Sequence, residues 1–137
     1  MRVQSNTCSF FLNKDASSLI LLERKILSCE FLTSDERTRC LLIASEYVDN
    51  IISYSKRKLF LSEKIRVSLK KIPPVKITIA YATSNFDELV RADKRTGMYY
   101  DMVSGHYRGM GLQMCNNLSS RILYKSGIIK SRIAVFL

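Results

Sequence analysis

From Thr33 to Ser55 the chain reads "TSDERTRCLLIASEYVDNIISYS", with Leu41, Leu42, Ala44, Ser45, Val48, Ile51 and Ile52 at helical spacing. Thr33 or Ser34 can cap this segment, and acids fill its first turn, so it predicts a long helix. Upstream, residues 2–12 alternate weakly and end in aromatics, as a strand would. Asp15 then caps a helix running to about Phe31 through "ASSLILLERKILSCEFL". Downstream, "KIRVSLKKI" and "VKITIAYA" are β-rich runs joined through Pro73-Pro74, which predicts a hairpin. The pattern dissolves between Thr83 and Ser104 into a long polar loop. A glycine turn in "GHYRGMGLQMCNNLSS" then opens a short helix, and "RILYKSG" with "IIKSRIAVFL" forms a second hairpin turning near Gly127. This order predicts an α+β fold, a mostly antiparallel sheet with helices on one face, in a single domain over 1–137.

Composition narrows the class only slightly. With 137 residues, 47% hydrophobic and 25% charged, the chain has the size and balance of one globular domain. The longest early apolar run, "LILL", is broken by Glu23, so no segment is expected to span a membrane. Cys8, Cys29, Cys40 and Cys115 form no CxxC pair, and His106 is the only histidine, a set that argues against a zinc site. The N-terminus lacks the pattern of a signal peptide, and a reduced, cytoplasmic protein is expected. The net charge of +10 allows polyanionic partners without choosing among them. A nucleic-acid reading calls for a basic stripe interleaved with aromatics; the basic residues instead run from Arg2 to Arg132, so nucleic acid is not the expected partner.

Two polar constellations need explaining. Glu46 and Asn50, four positions apart, share one face of the long helix, with Asp49 beside them. A carboxylate can accept a proton from an attacking hydroxyl, and an amide oxygen suits magnesium that also binds phosphate oxygens. The spacing alone is equally that of a solvated helix face. Further on, Gly105, Gly109 and Gly111 precede "LQMCNNL", where glycines admit a ligand close to the backbone and a helix start offers free N–H groups to phosphate. Arg108 could add a charge-assisted hydrogen bond. A tight loop at a helix start is the simpler reading of the same residues.

Together, "SEYVDNIISYS", a hairpin, a loop and "GHYRGMGLQMCNNLSSRILYKSG" resemble the GHKL ATPase superfamily, and within it the single-domain anti-sigma-factor serine kinases of bacterial partner-switching systems. The resemblance runs from about residue 5 to 137. It implies a histidine-kinase-like ATPase fold, with Glu46 as general base, Asn50 as the magnesium ligand, and Gly105, Gly109 and Gly111 around the phosphates of ATP. Residues near 88–104 would form a lid. The implied acceptor is a serine on a small antagonist protein, with a sigma factor as the other partner, and homodimerisation would use the surface around the first strand.

One segment departs from the family pattern. Where the middle box reads Asp-x-Gly-x-Gly-Phe-Asp, this chain has "YATSNFD": Tyr81 replaces the adenine-binding aspartate, and Thr83 and Asn85 replace the glycines. Tyr81 and Asn85 are therefore the expected contacts to the base, with a ring where the adenine needs space. Two functions follow from the resemblance. One is an ATP-binding regulator that phosphorylates an antagonist; the other is a non-catalytic relative that binds a sigma factor or antagonist without ATP.

Overall fold

The computed structural model describes residues 6–58, 61, 63–93, 99–102, 106–108 and 110–137; at 92, 93, 99–101, 106–108 and 110 it describes the backbone alone. The elements in order are β1 (Thr7–Leu12), α1 (Ser18–Leu27), α2 (Ser34–Tyr54), β2 (Ile65–Lys71), β3 (Val75–Tyr81), α3 (Phe86–Asp93), β4 (Tyr99–Asp101), β5 (His106–Arg108), α4 (Met110–Leu118), β6 (Arg121–Lys125) and β7 (Ser131–Phe136). Five strands form one antiparallel sheet in the order β1-β2-β3-β7-β6, and β4 pairs with β5 separately. This is the α+β arrangement the sequence predicts, with four helices among the described residues.

Strand alternation decides which face is buried. Ile65, Val67 and Leu69 on β2, Val75, Ile77 and Ile79 on β3, and Ile133 and Val135 on β7 all point into the core. The register aligns them in rows across the sheet, as in Phe10–Val67–Ile79–Ile133. Against that face pack Leu22 and Ile26 of α1, Cys40, Ile43, Ala44, Tyr47, Val48 and Ile51 of α2, and Leu112 and Cys115 of α4, in one continuous cluster. The alternate residues, including Arg66, Lys70 and Arg132, form an opposite, solvent-facing surface.

The long helix begins as its sequence predicts. The Glu36 N–H donates to Thr33 Oγ1 at 3.1 Å, and the Thr33 N–H donates to Glu36 Oε1 at 2.8 Å, a complete capping box. Lys71 Nζ on β2 donates to the same Oε1 and to the Phe31 carbonyl, each at 3.0 Å, tying the helix start to the sheet. Helix α1 starts at Ser18, after a turn in which the Ser18 N–H reaches the Asp15 carbonyl, and it stops at Leu27 rather than at Phe31.

The segment expected as a loop differs most. It holds the eight-residue helix α3 and the three-residue strand β4, whose partner β5 lies just beyond it in the expected glycine turn. Phe86 and Leu89 are buried one turn apart, and Asp87 and Glu88 sit in the first turn, where negative charge is favourable. Such short elements carry too few apolar positions to display a period.

Candidate functional site

Helix α2 is held by its inward row Ala44, Tyr47, Val48 and Ile51, which leaves Glu46 and Asn50 half-buried at the edge of the core. Across from them, α4 begins. A Cβ placed on Gly111 would lie 2.1 Å from Glu46 Cδ and 2.2 and 2.4 Å from its two carboxylate oxygens. The backbone of α4 therefore rests directly on the Glu46 carboxylate, and only glycine permits that approach at this carboxylate position. Two motifs 65 positions apart in sequence meet at this contact. One turn further along α2, Asn50 Nδ2 is buried and has no hydrogen-bond partner among the described residues. An amide nitrogen stripped of water without a partner costs about 1–3 kcal/mol, so this position is prepared for an acceptor.

The Glu46 carboxylate also borders a groove of about 570 Å³ between α1, α2 and α4. Leu19, Ile20, Leu42 and Met114 supply its apolar wall, and Glu23 and Asp49 join Glu46 as its acids. The groove was not singled out in the sequence. Its signal was there in "SLILLERKIL", a helix apolar on more than one side, whose Ile20 remains 60% exposed.

The other half of the predicted site is built differently. Tyr81 is the last residue of β3, 2% exposed, and its ring meets Phe86 edge-on with centroids 6.1 Å apart. It lies within the hydrophobic cluster, beside Ser131 in the register. Asn85 is buried as well, and its side chain is engaged with main chain. Its Nδ2 donates to the Tyr54 carbonyl at 2.9 Å and its Oδ1 accepts from the Lys56 N–H at 2.9 Å. The Thr83 hydroxyl lies 2.6 Å from Asn85 Oδ1 and 2.9 Å from the Lys56 carbonyl. The Leu89 N–H reaches the Asn85 carbonyl, so Asn85 also opens α3. Thr83 and Asn85 thus join the end of α2 to the start of α3.

Gly105 and Gly109 lie outside the described residues, as do 94–98 and 103–104 of the expected lid, and Arg108 is placed only by its backbone in β5. Among the described residues, no three His, Cys, Asp or Glu side chains are placed to hold a metal ion, and no helix is long and apolar enough to cross a membrane. All four cysteines are free thiols. Burial pushes the Cys29 and Cys40 thiols up to about 12, with Cys8 adding to the effect at Cys29.

No protein-family model matches the chain, and no curated protein matches it either.

Proposed function

We propose that the chain is an ATP-binding regulator related in design to the anti-sigma-factor serine kinases, with the phosphate end of the site retained and the base end rebuilt. The observation that carries this reading is the contact of Gly111 with Glu46, one helical turn from Asn50, whose Nδ2 has no partner among the described residues. A carboxylate, an amide and a helix start with Gly111 in its first turn make a compact set for positioning a triphosphate beside a proton acceptor.

In that role Glu46 would accept the proton of a serine hydroxyl as its oxygen attacks the γ-phosphorus of ATP, the bond from that phosphorus to the bridging oxygen breaks and ADP leaves. Asn50 is the residue that would hold magnesium, which when bound neutralises phosphate charge. The adjoining groove, with exposed Ile20 and Leu42 on its rim, gives an antagonist protein a place to present its serine.

Thermal unfolding with and without Mg-ATP tests the first step. A hundredfold excess of ligand over its Kd stabilises by about 2.7 kcal/mol, which is several degrees in Tm for a domain of this size. The expected result is a shift that Asn50→Ala removes. In an assay with a serine-bearing antagonist, Glu46→Gln should then remove phosphate transfer and leave antagonist binding intact.

A second reading rests on Tyr81. With its ring in the core and Asn85 engaged by Tyr54 and Lys56, the base end is closed by side chains. A non-catalytic binder of a sigma factor or antagonist would show no Tm shift at millimolar nucleotide yet still retain its protein partner.

A further inference from the structure

We propose that the open face of the five-stranded sheet binds single-stranded nucleic acid. The stripe that the linear sequence does not display is assembled by the fold. On this face, one row across the sheet reads Lys70, Lys76, Phe136 and Arg121, from four different strands. A second reads Phe11, Arg66, Ala80, Arg132 and Lys125. The rows stand four residues apart along each strand, which is about 13 Å. Between them runs a floor of small side chains, Ser9, Ser68, Thr78 and Ala134, closed at the edge by Leu123.

Charge on this face has one sign. None of the five strands contains Asp or Glu. The two salt bridges among the described residues, Arg39 to Asp35 and Lys71 to Glu36, both lie elsewhere. Instead, the face cations gather round its rings. Lys76 Nζ and Arg121 Cζ lie 5.5 and 5.8 Å from the centre of the Phe136 ring. Arg66 Cζ and Lys130 Nζ lie 5.9 and 5.8 Å from that of Phe11, which is 54% exposed. A ring beside two cations provides a stacking surface for a base and neutralising charge for the adjoining phosphates.

The chemistry discriminates among occupants. A second copy docked face to face would set these cations against their own kind. A protein partner is favoured by deep apolar pockets for anchoring side chains, whereas the centre of this face is hydroxyl and methyl. A single strand needs cations along its backbone, a floor free of bulky side chains and an exposed ring, and all three are present. The proposal does not involve the nucleotide site.

Fluorescence anisotropy with labelled dodeca-uridylate and dodeca-thymidylate, in the absence of ATP, tests it. Binding is expected at 50 mM KCl and should fall by roughly a hundredfold at 200 mM if about five phosphates are neutralised. The combined change Arg66→Gln, Lys76→Gln, Arg121→Gln should weaken binding more than about tenfold. Arg24→Gln, Lys25→Gln, Arg57→Gln, an equal loss of charge at exposed positions outside the five strands, should leave it within about threefold. Phe11→Ala, at an exposed position, should cost about tenfold by removing a stacking surface. Circular dichroism of each variant checks that the fold is retained. Absence of binding at 50 mM KCl, or equal losses in the two triple variants, would overturn the proposal. So would phosphatidylserine vesicles or duplex DNA binding as tightly as the oligonucleotides, with Phe11→Ala without effect.

Discussion

At Gly111 the constraint is a neighbour, since the position is helical and the nearest atoms to an added Cβ are the end of the Glu46 side chain. That end is flexible and half-buried, so a methyl group would displace the carboxylate instead of disrupting the core. Alanine also favours a helix over glycine by about 1 kcal/mol. Gly111→Ala is therefore expected to leave Tm unchanged or slightly raised while removing any activity that depends on Glu46, a combination that urea unfolding beside a phosphate-transfer assay detects. A large loss of stability instead would mean the carboxylate is rigidly held. The pair was legible because Glu46 and Asn50 lie one turn apart on a strongly periodic helix and Gly111 falls in the first turn of another. The tasks of Thr83 and Asn85 were not legible. As replacements for glycines they read as obstacles to a ligand, yet their hydrogen bonds to Tyr54 and Lys56 come from a helix end some thirty residues earlier, a proximity that only the fold creates.

Among the elements, α2 depends on its start. Thr33→Ala should cost about 1 kcal/mol through loss of one half of the capping box. Glu36 adds a pH dependence: hydrogen bonding from the Thr33 backbone, helped by Lys71, holds its carboxyl below the ordinary value of 4.5. A carboxylate with a depressed folded pKa contributes stability that is present above its unfolded value and is lost as pH falls through the folded one. Stability should thus decline below about pH 4.5 as the cap protonates, and Glu36→Gln should flatten that part of the curve while lowering stability at pH 7. An acid limb identical in the variant would show that other carboxylates carry it. A cap at Thr33 or Ser34 with acids behind it was visible in the sequence because all its parts lie within four residues, and the structure decides for Thr33 with Glu36. Its link to Lys71, 35 positions away, was not, and α3 escaped notice because eight residues hold barely two turns.

For the whole molecule, the consequence of the fold is a separation of charge that the sequence does not reveal. Lys and Arg alternate with apolar residues along the strands, which by itself indicates only that one sheet face is wet. Pairing the strands in register brings Arg66, Lys70, Lys76, Arg121, Lys125 and Arg132 onto one surface without an acid in any of the strands. Cations within about a Debye length of one another repel, and that repulsion destabilises the compact state in proportion to how little salt screens it. Tm should accordingly rise between 20 and 300 mM KCl, and the sheet-face triple Arg66→Gln, Lys76→Gln, Arg121→Gln should raise Tm at 20 mM while flattening its dependence on salt. The triple Arg24→Gln, Lys25→Gln, Arg57→Gln should do neither, because these exposed residues lie outside the five strands. If substitutions that stabilise the protein are the same ones that weaken oligonucleotide binding, the stability lost to repulsion is explained by the anion that relieves it. If Tm is indifferent to salt, the cations are screened well enough by the solvent alone, and their grouping carries no energetic cost for a ligand to offset.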